Sequence, residues 1–294
     1  MKQEFTRIAV KVGSNVLTRR DGTLDVTRMS ALVDQIAELH KSGVEIILIS
    51  SGAVASGRSE VHPQKKLDSV DQRQLFSAVG QAKLINRYYE LFREHSIPVG
   101  QVLTTKESFG TRRHYLNQKN CMTVMLENNV IPIVNENDTI SVSELMFTDN
   151  DELSGLIASM MDANIARKVA DEGITVIIAN GKRDNILVDL LQHPKETLCT
   201  RFVPSNEPVS SVKKWIAHSE GFAKGEIHIN ECATEVLNSE KAVSILPIGI
   251  THVEGEFEKD DIVRIMDFQG NQVGVGKVNC DSKQAQEAIG KHGK

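Results

Sequence analysis

Glu45–Ser50 reads EIILIS, and Ser51-Gly52-Ala53 follows it. Four consecutive aliphatic residues between polar ones make a strand buried on both faces, since a strand with one wet face would alternate. Small residues between such a strand and a helix form a turn whose backbone N–H groups can meet an anion. A plain capped strand-to-helix connection has the same appearance. Outward from this stretch the pattern repeats. Arg7–Val12 (RIAVKV) is a second buried strand. Between the two, Met29, Leu32, Val33, Ile36 and Leu39 recur at helical spacing over Thr27–Lys41. Asp25 or Thr27 is its N-cap, and Gly43 stands where it should stop. Downstream the expected order is a helix over Ser69–His95, a strand over Pro98–Thr104, a helix over Arg112–Asn128 and a strand over Val130–Asn135. Helices over Asp149–Met161 and Ile165–Glu172 and a strand over Ile174–Ala179 follow. Buried strands separated by amphipathic helices predict an α/β fold, with a mostly parallel sheet sandwiched between helices.

The texture changes near the end. From Lys213 onward the chain breaks into short strand-like pieces punctuated by glycine: Glu226–Ile229, Ala242–Leu246, Ile262–Asp267 and Gln272–Lys277, with a helix at Ala233–Asn238. Lys195–Ser211 holds Pro204 and Pro208 and reads as a linker. The expected domains are therefore residues 1–204 and a small, mainly-β domain over 213–294.

Composition removes several function classes. A chain of 294 residues with 40% hydrophobic residues can bury a full core, which excludes disorder as its main state. Its apolar runs are too short to span a bilayer, and no charged-then-apolar leader opens it, so a cytoplasmic location is the default expectation. Cys121, Cys199, Cys232 and Cys280 are scattered without a CxxC pair, which argues against a zinc site on cysteines or a disulfide framework. Net charge is −5, and Lys213–Lys294 alone carries 10 Lys/Arg against 13 Asp/Glu. RNA binding by that part is not expected, because it needs neutralising cations.

Four polar stretches fall at the C-terminal ends of expected parallel strands, where open α/β sheets bind ligands. Lys11 with Gly13 and Ser14 offers a mobile charge and room for phosphate, although a surface lysine at a strand end looks the same. Ser51, Gly52 and Ala53 form the turn already described. Asn135-Glu136-Asn137-Asp138 could hold an ammonium group on Asp138 and oxygens on the asparagines, or could be an Asx-type turn. Thr148-Asp149-Asn150-Asp151 opens a helix with Asp149 as N-cap, leaving Asp151 to orient a lysine. Four such stretches on one sheet edge predict a small-molecule site.

These stretches, with Phe147–Leu153 (FTDNDEL), Ala78-Val79-Gly80-Gln81 and Gln101-Val102-Leu103-Thr104, resemble the amino acid kinase family. The resemblance is nearest to the branch that phosphorylates glutamate. The stretches Lys224–Ile227, Leu246–Ile250 and Val253–Phe257 resemble a PUA domain. The resemblance implies phosphoryl transfer from ATP, accompanied by Mg²⁺, to the side-chain carboxylate of L-glutamate, giving glutamyl 5-phosphate as the first step of proline biosynthesis. It implies Lys11 as the bridge to the transferring phosphoryl group, with Gly13 and Ser14 beside the phosphates. Ser51, Gly52, Ala53, Asn135, Asp138 and Asn150 would hold glutamate, and Asp151 would orient the catalytic lysines. No resident metal ligands are implied. Feedback inhibition by proline and assembly into a homo-oligomer are implied in the same way. A sister kinase acting on aspartate or N-acetylglutamate, and an RNA-binding protein on a non-catalytic kinase scaffold, are the alternative readings.

One departure matters. After Ala163 the family continues with a strand, nucleotide contacts and a glycine-rich turn ending in a second catalytic lysine. Here Asn164–Gly173 reads directly as the helix that should come after that lysine. Several tens of residues are therefore expected at this point. A chain running straight from Ala163 to Asn164 would lack a sheet strand and a catalytic cation.

Overall fold

The computed structural model describes residues 5–140, 150–161, 175–202, 216, 223–237 and 244–291. The order begins β1 (Arg7–Val12), α1 (Ser14–Leu17), α2 (Val26–Lys41), β2 (Glu45–Ser50), α3 (Ala53–Arg58) and α4 (Ser69–Glu94). It continues through β3 (Val99–Thr104), α5 (Glu107–Gly110), α6 (Arg112–Glu127), β4 (Ile131–Glu136) and α7 (Asn150–Met161). β5 (Val176–Ile178), α8 (Ile186–Gln192) and β6 (Thr200–Phe202) follow. The last strands are β7 (Gly225–Ile229), β8 (Ile250–Gly255), β9 (Ile262–Met266) and β10 (Gln272–Lys277), with short helices at Glu231–Leu237 and Ser282–Ala288. By their contacts the residues fall into two compact units, 1–106 with 118–209, and 107–117 with 210–294. No described helix is long and apolar enough to cross a membrane, and all four cysteines are free thiols.

In the first unit the sheet order is β1-β2-β4-β3, and every pairing is parallel. Ile46 to Ile49 have no exposed surface, as the unbroken EIILIS run demands. The Asp25 carboxylate accepts the Arg28 N–H and so caps α2. Past the end of that helix Gly43 adopts a positive φ of 94°. Val10, Leu32, Val33, Ile36, Leu48 and Leu84 belong to the core that forms between sheet and helices.

Two expectations about strands are corrected. The apolar run ITVIIA does not extend the parallel sheet. Among its described residues Val176–Ile178 forms a strand, and it pairs antiparallel with β6 in a separate two-stranded sheet. β6 itself lies inside the stretch read as a linker, because Thr200–Phe202 is the partner that satisfies the backbone groups of β5. Residues 244–246 are not strand, and β8 begins only after a turn at Pro247–Gly249. The helix expected over Ile165–Glu172 lies outside the described residues. β1 thus closes one edge of the described sheet. A cavity of about 580 Å³ lies beside it, lined by Ile8, Val10, Val16, Ile177, Ile186 and Leu190 among others.

α3 and α4 cross so closely that side chains are excluded at the contact. A Cβ on Gly80 would stand 1.8 Å from the Ala53 carbonyl oxygen, and one on Gly57 would stand 1.8 Å from that of Phe76. Backbone cannot retreat as a flexible side chain can, so Gly80→Ala must push α3 away. We expect a loss of ~3 kcal/mol, or roughly 6–12 °C in melting temperature. An unchanged thermal melt would contradict the crossing.

The second unit holds a four-stranded sheet of order β10-β9-β7-β8, antiparallel except for β7 with β9. Ile227, Ile229, Val253, Phe257, Val263 and Ile265 form its core.

Candidate active site

Because β1, β2 and β4 run parallel, the loops after them leave from one edge of the sheet. Lys11 pairs with Ile49 and Val12 with Ser50 in the strand register, and the Ser51 N–H donates to the Val12 carbonyl at 3.1 Å. The first two loops are thereby tied together. β4 adds Asn135 and Glu136 at its end, and Asp138 follows. These loops border a cleft of about 550 Å³. Lys11, Gly13, Ser14, Ser51, Gly52, Ala53, Asn135 and Asp138 all line it, so eight of the ten expected site residues come together. Asn150 and Asp151 open α7, but their side chains lie outside the described residues, as do Thr148 and Asp149. Glu152, one residue on, pairs with Lys106 at 3.4 Å.

The turn after β2 depends on its glycine. Gly52 has φ 106°, which residues with a Cβ rarely adopt, and it caps α3 from that conformation. Behind it, Ser50 shares a 2.9 Å hydrogen bond with the Tyr88 hydroxyl, and both are buried. Burial pushes the Tyr88 phenol up to about 12, against the pull of the Ser50 bond. Tyr88 is therefore a neutral support for the turn and not an acid or base.

At the other side of the cleft two carboxylates share one guanidinium. Arg73 on α4 donates from Nε to Asp138 Oδ1 at 2.6 Å and from Nη2 to Glu136 Oε2 at 3.0 Å. The side chains of Glu136 and Asp138 are only 3% and 8% exposed. Burial pushes the Asp138 carboxyl above the ordinary aspartate value, while the charge and hydrogen bond of Arg73 pull it down. Asp138 and Glu136 thus place two carboxylates on one side of the cleft, where the ammonium group of a substrate could meet them. Asn135 is held by Gln81, whose Oε1 accepts from Asn135 Nδ2 at 2.7 Å.

Arg73, Glu136 and Gln81 border or hold the expected site residues, although the sequence alone does not single them out. Arg73 sits 63 and 65 residues from its partners, on a helix whose composition marks nothing special there. Gln81 belongs to the stretch Ala78-Val79-Gly80-Gln81 that resembles the family. Arg58 also lines the cleft, with its guanidinium 5.6 Å from the Phe76 ring centre.

The amino acid kinase family model matches residues 6–180, and the PUA domain model matches residues 225–294. A glutamate 5-kinase of Bacteroides thetaiotaomicron is 77% identical, covering all of this chain and 97% of that protein. A glutamate 5-kinase of Chlorobaculum tepidum is 39% identical over 98% of this chain and 94% of its own length. The alignment with the Bacteroides protein runs over 348 positions against 294 residues here, so at least 54 aligned positions carry no residue of this chain. With its parallel sheet, its strand-end cleft and these relatives, the chain belongs to the amino acid kinase family, among the glutamate 5-kinases that carry a PUA domain.

Proposed function

We infer that the protein phosphorylates the side-chain carboxylate of L-glutamate with ATP, in the cleft at the C-terminal ends of β1, β2 and β4. The observation that carries this reading is the polarity of the cleft. Lys11 with Gly13 and Ser14 lies at the end of one strand, and the acid pair Glu136–Asp138 lies at the end of another. A substrate with an ammonium group at one end and a reacting anion at the other fits that distribution of charge.

In this reading Asp138 receives the α-ammonium group, sharing its charge between substrate and Arg73. Asn135, set by Gln81, and Asn150 bind substrate oxygens. Ser51, Gly52 and Ala53 form the wall against which glutamate lies. Lys11 spans the phosphoryl oxygens as negative charge builds between two anions, and Asp151 orients the lysine side of the site. The acceptor is already ionised at neutral pH, so no general base is required. Catalysis is then positioning and charge neutralisation. Mg²⁺ enters with the nucleotide, since both described carboxylates of the cleft are engaged by Arg73. Domain limits at 1–204 and 213–294, proline as a feedback inhibitor, homo-oligomeric assembly, a cytoplasmic location and a PUA domain that does not bind RNA remain part of the proposal.

ADP release measured against L-glutamate, L-aspartate and N-acetyl-L-glutamate tests it. Turnover should be confined to L-glutamate, because acetylation removes the cation that Asp138 is there to meet. Preference for either other acid would overturn the substrate assignment.

Asp138→Asn should raise the KM for glutamate about 10- to 100-fold, since a hydrogen bond to a charged group contributes ~1.5–3 kcal/mol. The KM for ATP should stay put. Because burial raises the Asp138 pKa, its carboxylate takes up a proton at higher pH than an exposed aspartate would. The glutamate KM should accordingly climb early on acidification, and the variant should lose that limb. A defect confined to ATP would assign Asp138 to the other half of the cleft.

A further inference from the structure

The second unit carries a cluster that phosphoryl transfer does not use. In the antiparallel pair β7–β8, Glu226 lies opposite Glu254 and His228 opposite His252. Residues two apart on a strand share a face. Two imidazoles and two carboxylates therefore stand at the corners of one small patch. We propose that this quartet binds a divalent transition-metal ion of the Zn²⁺ type.

Four observations support the site. The ligand atoms of Glu226, His228 and Glu254 all lie within 4.8 Å of one another. A tetrahedral zinc ion with bonds of ~2.0–2.1 Å spaces its donors ~3.3 Å apart, so rotation of side chains suffices to close the set. His252 joins through Glu254, its Nε2 standing 3.1 Å from Glu254 Oε1, already near that spacing. Next, His228 Nε2 is shut off from solvent and makes no hydrogen bond. Its near neighbour is Glu226 Oε2 at 3.8 Å, too far for a hydrogen bond. A buried ring nitrogen turned toward carboxylates suits a metal better than an empty contact.

The third observation concerns charge. Glu226 and Glu254 face each other directly across the strands, and like charges so placed destabilise a sheet. Arg264 on β9 meets Glu226 Oε1 at 3.2 Å, which compensates one oxygen and leaves Oε2 toward His228. A cation between the strands would offset the remainder. Fourth, the register shifts between His228 and Ile229, leaving Thr251 as the extra residue of a bulge beside the histidine pair. Bulges re-aim neighbouring side chains, and here the two rings meet edge to face at 5.5 Å. Imidazole with carboxylate favours late first-row ions, whereas Mg²⁺ and Ca²⁺ prefer oxygen alone. The site is thus independent of the Mg²⁺ that accompanies ATP.

The test is calorimetric titration of the full chain with Zn²⁺ alone, after chelator dialysis and in excess Mg²⁺. One ion per chain is expected at this site. His252→Ala and His228→Gln should each weaken binding about tenfold or more, at least the loss that outer partners of metal ligands produce. Arg264→Ala should tighten it by releasing Glu226, and His193→Ala, outside the quartet, should leave it unchanged. His252 is 60% exposed, so its replacement is safe for the fold even if that of His228 is not. Absence of stoichiometric uptake by the wild-type chain, or uptake indifferent to His252→Ala, overturns the site. An Arg264→Ala chain that binds no tighter removes Glu226 from it.

Discussion

Replacing Lys11 by methionine should lower turnover about 100-fold or more, the scale of removing one preorganised donor from a developing charge. Glutamate KM and thermal stability should change little. Lys11 stands between two environments. It lines both the apolar cavity beside β1 and the polar cleft at the strand end. Methionine keeps the stem and deletes the charge, so the substitution separates packing from catalysis. Initial rates of ADP release with a parallel thermal melt provide the measurement. A variant with wild-type turnover would take Lys11 out of the mechanism. One that melts early would move its role to the fold.

The second large effect concerns the several tens of residues that the family resemblance leads us to expect between Ala163 and Asn164. Inserting a segment of that kind there, taken from the Bacteroides relative, should raise turnover by about 100-fold and also raise the melting temperature. Two anions brought into line are usually served by more than one cation, and among the described residues lining the cleft Lys11 is the one lysine, beside Arg58 and the carboxylate-bound Arg73. The apolar cavity of about 580 Å³ against β1 gives the stability half of the argument. β1 ends the described sheet on that side, so a strand laid there would pair its backbone and cover Ile8 and Val10. A glycine-serine insert of equal length should produce neither gain. Equal turnover in the chimera and the 294-residue chain would show that the present site is already complete. Lys11→Met should cost the same factor in both backgrounds.

Local order was legible wherever the cause is local. The ends of β1 and β2 follow from runs of six residues, and the Asp25 cap of α2 follows from chemistry within three. The site loops could be found because parallel strands must release their ligands at one edge, which brought eight candidate residues to one cleft. What lay beyond the sequence was decided by approach between distant segments. The pairing of β5 with β6 rather than with the main sheet is one case, since an apolar triplet carries no mark of its partner. Another is the Gly57–Gly80 crossing, where only the separation of two helices shows why a side chain is excluded. Arg73 between Glu136 and Asp138 is the case that matters most for function. Hydrophobic period and turn chemistry act over a few residues and so can be read in order along the chain. Which charge neutralises which depends on distances through space, and those exist only once the helices have docked on the sheet.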